Sequence, residues 1–244
     1  MFVFWGSSLL CLALGAGSRV RLVLRDDLRW AGKRALWIGA WHGLGVWGRA
    51  CFVLFAMVAL LIWFSPDLPA RFATYAKPAY TFRQGGALAA AAYMFFACVF
   101  APIVEEILFR GLIFRRWQAR WGGTRAAILS SALFAILHPA VLPQFCMGLL
   151  SCLLLVRTGS LWPCIALHVT NNALCMIAEL ATNSSGQSVE PLSLDWTFTI
   201  WLGAYLLCFV WYARYLWRYW GDLRQAQPLY QFTDAGIPGR IVEA

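Results

Sequence analysis

Glu105 and Glu106 stand side by side in Ala101-Pro102-Ile103-Val104-Glu105-Glu106-Ile107-Leu108-Phe109-Arg110, inside a run otherwise apolar enough for a bilayer-spanning helix. Carboxylates in hydrocarbon are costly, so acids there mark chemistry, an ion path or a tight pairing. Glu106 and Arg110 are i and i+4, which puts them on one helix face where they can pair. Glu105 has no basic residue left at that spacing. Two of the chain's three histidines lie in later apolar runs: His138, one turn after Phe134, and His168, one turn before Asn172. A carboxylate, two imidazoles and an amide are the parts needed to hydrolyse a peptide bond with water. The glutamate takes a proton from the water, one histidine helps hold it, and the second histidine and the asparagine donate to the oxyanion that forms. Phe134 is placed to wall the pocket and hold the His138 ring.

Other readings use the same residues. Glu105, His138 and His168 would give zinc three protein ligands with water in the fourth position, although the His-Glu-x-x-His helix of many zinc proteases is absent. Cys164 lies one turn before His168, but its apolar setting disfavours a thiolate nucleophile, and no Gly-x-Ser-x-Gly elbow is present. Glu106 with Arg110 reads equally as an ion pair near the interface, and His168 with Asn172 as interhelical hydrogen-bond glue. Asn171 is expected to pack or bond a neighbouring helix, and His42 to sit at the interface. A transporter's proton path would also use intramembrane acids. A non-catalytic immunity or scaffold protein would retain the fold without the reaction.

The elements that must bring these residues together follow from composition. The 244 residues are 61% hydrophobic and 13% charged, with a mean hydropathy of +0.64, which marks a membrane protein rather than a soluble domain. Apolar runs occur near Phe2 to Gly17, Ala35 to Phe64, Ala87 to Val104, Ala126 to Leu137, Ala140 to Val156, Leu161 to Leu180 and Trp196 to Trp217. A helical span takes about 20 residues, so an all-α polytopic bundle of six to eight transmembrane helices is expected, with no alternating pattern of a membrane barrel. Ala35 to Phe64 is either one tilted helix or a surface segment followed by a span. The expected organisation is one membrane-embedded domain over residues 1–220 and a turn-rich extramembrane tail over residues 221–244. At about 1.5 Å per residue from the cytoplasmic ends, Glu105 lies about 15 Å deep, His138 about 20 Å, His168 about 12 Å and Asn172 about 18 Å.

The net charge of +9 raises nucleic acid as a partner, but the basic residues lie between apolar runs and not on an aromatic-interleaved soluble face. Positive-inside bias accounts for them. Arg19, Arg21, Arg25, Arg29, Lys33 and Arg34, then Arg115, Arg116, Arg120 and Arg125, then Arg157, and finally Arg214, Arg218 and Arg224 fall in alternate loops, expected to be cytoplasmic. Seven spans with the N-terminus outside and the C-terminus inside fit that pattern. All eight cysteines fall in apolar runs with no Cys-x-x-Cys pair, as small packing residues do.

Glu105-Glu106-x-x-x-Arg110 within Glu-Glu-Ile-Leu-Phe-Arg-Gly-Leu-Ile-Phe, then Phe134-x-x-x-His138, then His168-x-x-x-Asn172 after Arg-Thr-Gly-Ser-Leu-Trp-Pro, resemble the three motifs of the CPBP family. That family comprises the CAAX prenyl proteases and the bacteriocin-processing or immunity proteins, also called the Abi group. The resemblance covers roughly residues 90–178. It implies a multi-pass intramembrane endopeptidase, in a bacterial plasma membrane, with a cavity open to the cytoplasmic side. Glu105 would be the water-activating base, His138 its partner on the water, His168 and Asn172 the oxyanion donors, and Glu106 and Arg110 support. A membrane-associated protein or peptide, prenylated or not, would be the substrate, with the bilayer as the other partner. The resemblance implies no catalytic cofactor, the alternative being Zn2+ at Glu105, His138 and His168.

Overall fold

The computed structural model describes residues 26–64, 86–138, 140–184, 196–228, 230–232 and 238–240. The expected first span, Phe2 to Gly17, lies outside them, as do the N-terminal basic residues up to Arg25 and most of the two loops expected on the opposite side. Among the described residues the architecture is helical: α1 Lys33–Phe64, α2 Gly86–Trp121, α3 Gly123–Ile136, α4 Val141–Thr158, α5 Trp162–Ser184 and α6 Trp196–Gln225. A small antiparallel ribbon follows, β1 Tyr230–Phe232 against β2 Pro238–Arg240, with Tyr230 opposite Arg240. Two of the helices, α2 and α4, are long and apolar enough to cross a membrane by length and composition.

The stretch Ala35 to Phe64, open to two readings in the sequence, is a single helix of 32 residues. The run near Ala126 to Leu137 departs from the expectation of a full span. Its helix has 14 residues, about 21 Å at the usual rise, against about 30 Å of hydrocarbon. The cause is local, because Pro139 follows His138 in the sequence and disfavours helical backbone at the residue before it.

The core is built around α4. Every residue from Met147 to Leu155 is buried, and α1, α2, α3, α5 and α6 all pack on it, as expected of a helix that is apolar all round. Phe114 from α2, Phe134 from α3, Leu161 and Leu167 from the start of α5 and Leu223 from α6 complete the cluster. Large apolar side chains such as Trp37, Leu88, Leu207 and Trp217 face outward, a surface suited to lipid rather than water.

Helices α1 and α5 approach unusually closely. A Cβ at Gly39 would overlap the Pro163 carbonyl, and one at Gly43 would sit 2.5 Å from the Leu167 carbonyl oxygen. Gly39-Ala40-Trp41-His42-Gly43 is a Gly-x-x-x-Gly step, the small-residue pattern that lets membrane helices meet backbone to backbone. Next to it, His42 is buried among α6 side chains, its ring centroid 5.0 Å from that of Trp211 and, edge-on, 4.4 Å from that of Tyr215.

Residues 26–30 form a strap across the same end of the bundle. Arg115 forks onto Asp27, Nη2 to Oδ1 at 2.7 Å and Nε to Oδ2 at 3.1 Å. Leu161 donates its N–H to the Asp27 carbonyl at 2.7 Å, Ser160 its hydroxyl to Arg29 at 3.0 Å, and the Trp162 indole to Leu28 at 2.9 Å. Arg115, expected in a cytoplasmic loop, lies within α2 and is only 5% exposed, and Asp27 supplies the countercharge that burial demands. Burial pushes the Asp27 carboxyl above its ordinary value, and Arg115 pulls it back.

Two outcomes follow from this packing. Asp27→Asn strands the buried Arg115 charge and lowers stability by about 3–5 kcal/mol, most of it recovered in Asp27→Asn/Arg115→Met, read as melting temperatures in detergent. Gly43→Val forces α1 off α5 and costs about 1–3 kcal/mol in the same melt.

Candidate active site

The candidate side chains come from α2, α5 and the turn that follows α3. Two wide π turns, Phe96–Phe100 and Ile107–Phe114, flank the six-residue α-helical step Ala101–Glu106 that carries the acids. Such turns are rare and concentrate at functional sites. The step points Glu106 into the core and leaves Glu105 at the edge, with side-chain exposures of 0% and 18%.

Glu106 Oε1 is shared. Arg110 Nη1 lies 3.0 Å away and His168 Nδ1 2.9 Å away. The Arg110 contact is ionic without hydrogen-bond alignment, since neither terminal guanidinium nitrogen has a hydrogen-bond partner among the described residues. Arg110 is 1% exposed, and its guanidinium lies over the Phe134 ring with 4.4 Å to the centroid, a cation–π contact that is strongest when desolvated. Phe134 in turn stacks on His138 with ring centroids 4.4 Å apart and meets His168 edge-on at 5.7 Å.

These contacts settle which ring nitrogens face the open side. A carbonyl can only accept, so His138 Nδ1–H donates to Phe134 O at 2.8 Å, leaving Nε2 free. His168 Nδ1–H donates to the Glu106 carboxylate, leaving its Nε2 free as well. Both free nitrogens lie 3.7 Å from the same atom, Glu105 Oε2. That is too long for a direct hydrogen bond.

Of the residues singled out in the sequence, Glu105, His138 and His168 converge at one point, with Glu106, Arg110 and Phe134 directly beneath. Asn172 lies one turn beyond His168 on α5 and is tied to the first π turn, its amide nitrogen donating to Ala97 O at 2.9 Å. Asn171 is buried, and its Nδ2 donates to Asn172 Oδ1 at 3.3 Å. Cys164 is fully buried, its thiol 3.2 Å from the Ser151 carbonyl. The link from Glu106 to His168 went unanticipated, because helix spacing on one segment carries no information about a partner 62 residues away. The open Ala97 carbonyl did have a signal, Pro102, whose missing N–H leaves an acceptor free in the preceding turn.

Among the described residues no three His, Cys, Asp or Glu side chains are arranged to hold a metal ion. Bonds of about 2.0–2.1 Å meeting at tetrahedral angles bring ligand atoms about 3.4 Å apart, and the two 3.7 Å separations at Glu105 are wider than that. The zinc arrangement considered from the sequence would need Glu105, His138 and His168 to draw together by a few tenths of an ångström.

One protein family, described as type II CAAX prenyl endopeptidase Rce1-like, matches residues 87–174. The matched stretch runs from the start of α2 into α5 and contains every residue of the site. No curated protein matches the chain, and no solved structure does.

Burial separates the two acids experimentally. Glu106→Gln leaves Arg110 charged and unpaired in the core and costs about 3–5 kcal/mol, whereas Glu105→Gln, partly exposed and without a direct hydrogen bond, changes stability by less than about 1 kcal/mol. Parallel melting curves in detergent report the difference.

Proposed function

We propose that the chain is a glutamate-dependent intramembrane endopeptidase, a reading that the match of residues 87–174 to the Rce1-like family supports. One observation carries the reading: three separate helical segments bring Glu105 Oε2 and the free Nε2 atoms of His138 and His168 to one partly accessible point. Nothing else in the described core needs an acid and two imidazoles there.

The reaction runs with water as the nucleophile. Water lies between Glu105 and His138, its second hydrogen directed at the His138 Nε2 lone pair. Glu105 takes a proton as the water oxygen bonds to the carbonyl carbon of the scissile peptide. The carbonyl electron pair moves onto oxygen, and His168 Nε2–H and an Asn172 amide hydrogen receive that oxyanion. Because His168 Nδ1–H is already given to Glu106, donation from Nε2 uses the imidazolium form. Collapse of the tetrahedral intermediate breaks the C–N bond, and the proton held by Glu105 goes to the departing amine. Glu106 and Arg110 orient His168 and do not touch substrate. No catalytic metal takes part.

The family description supports a prenylated carboxyl-terminal tail as the substrate class. The outward apolar surface supports presentation from the bilayer, and the spread of basic residues supports a multi-pass topology with the carboxyl end in the cytoplasm.

The test uses purified protein in nanodiscs and an internally quenched farnesylated peptide ending in a free carboxylate. Wild type cleaves it, Glu105→Gln falls by at least about 10³-fold, and Asn172→Ala by about 10²–10³-fold, while EDTA leaves the rate unchanged. Undiminished cleavage by Glu105→Gln overturns the mechanism, and loss on chelation restored by zinc overturns its metal-free form.

A further inference from the structure

The amide of Asn172 is held by a carbonyl that a regular helix would not offer. In the first π turn the Ala101 N–H reaches back five residues to the Phe96 carbonyl. The next bond in that register would run from residue 102 to Ala97, and residue 102 is Pro, which has no N–H to give. The Ala97 carbonyl is thereby left open on the side facing α5, and Asn172 Nδ2 donates to it at 2.9 Å. Asn172 Oδ1 meanwhile accepts from Asn171 Nδ2 at 3.3 Å. An acceptor on the nitrogen side and a donor on the oxygen side fix which way the amide is turned, and the second N–H is left for another partner.

We infer that Pro102 is a positioning residue: by withholding an N–H from the Ala97 carbonyl it makes that carbonyl the anchor that orients the Asn172 amide. The inference rests on the proposed role of Asn172 as an oxyanion donor. It accounts for a proline inside a helix that otherwise runs unbroken from Gly86 to Trp121, where proline ordinarily costs stability. It also accounts for the position of the π turn, one step before the two acids. An alanine at residue 102 restores the N–H, and the helix then competes with Asn172 for the same oxygen.

Two measurements test this, one of them independent of catalysis. The chain has only three asparagines, Asn171, Asn172 and Asn183, so protein labelled with 15N-asparagine gives three side-chain amide signals, with that of Asn172 identified by its loss in Asn172→Ala. In Pro102→Ala and Pro102→Val the Asn172 signal shifts and its two protons draw together as the bond to Ala97 is lost. The melting temperature stays level or rises. On the farnesylated peptide, kcat falls about 10- to 100-fold, as a displaced catalytic group does, with KM within about twofold, and adding Asn172→Ala to Pro102→Ala lowers kcat no further than Asn172→Ala alone. An unmoved Asn172 signal overturns the inference. So does a lowered melting temperature with wild-type kcat per folded molecule, or losses that multiply in the double variant. Failure of wild type to cleave the peptide bears on the proposed function alone, because the amide signal still reads the Pro102 contact.

Discussion

Glu106 is fully buried, and its one carboxylate oxygen meets Arg110 at 3.0 Å and His168 at 2.9 Å. A buried carboxylate is tolerated only when countercharge and hydrogen bonds replace its water, so this contact dictates where both partners sit. Its consequences spread through packing. Arg110, held by Glu106, lies over the Phe134 ring, and Phe134 both stacks on His138 and accepts its Nδ1–H through the backbone carbonyl. One inaccessible acid in α2 thus orients an imidazole on α5 directly and another at the end of α3 through two intermediates. Glu105, the next residue along, is left free of direct bonds at the point where both rings aim.

The surrounding scaffold makes that geometry rigid without adding polarity to it. Helix α4 supplies an apolar spine against which the site-bearing helices α2, α3 and α5 all pack. On the far side, Gly39 and Gly43 let α1 press against the first turns of α5, just below His168. At the end of the bundle the strap of residues 26–30 pins Ser160, Leu161 and Trp162 and clamps Arg115 of α2. The beginning of α5 and the far end of α2 are therefore tied to a common segment.

Much of the site was legible because its residues break a strong background. In a run from Val99 to Phe114 two acids and an arginine are conspicuous, and the i, i+4 spacing of Glu106 and Arg110 predicts their pairing from helix geometry alone. Phe134 with His138 and His168 with Asn172 follow from the same period, and counting rises along separate helices set them at similar depth. Other features followed different physics. The burial of Arg115 was not visible because its partner, Asp27, lies 88 residues away. The burial of His42 was not visible either, because the rings of Trp211 and Tyr215 that cover it belong to α6. The shortness of α3 was within reach of the sequence through Pro139, as the α1–α5 contact was through Gly39 and Gly43.

The amino-acid sequence by itself determined that the chain is helical, that it is too apolar for a water-soluble domain, and which few polar groups had to be accounted for. Those properties reside in composition and in periods of three or four residues, where each side chain's neighbours are fixed by the helix that carries it. Only the tertiary structure decided that His168 turns Nδ1 to Glu106 and Nε2 to Glu105, that Glu106 is sealed while Glu105 is reachable, and that Asn172 is held by the carbonyl of Ala97. Each of these is a contact between helices distant in sequence, set by which carbonyls are left open, which glycines allow close approach and which charges must find partners once water is gone.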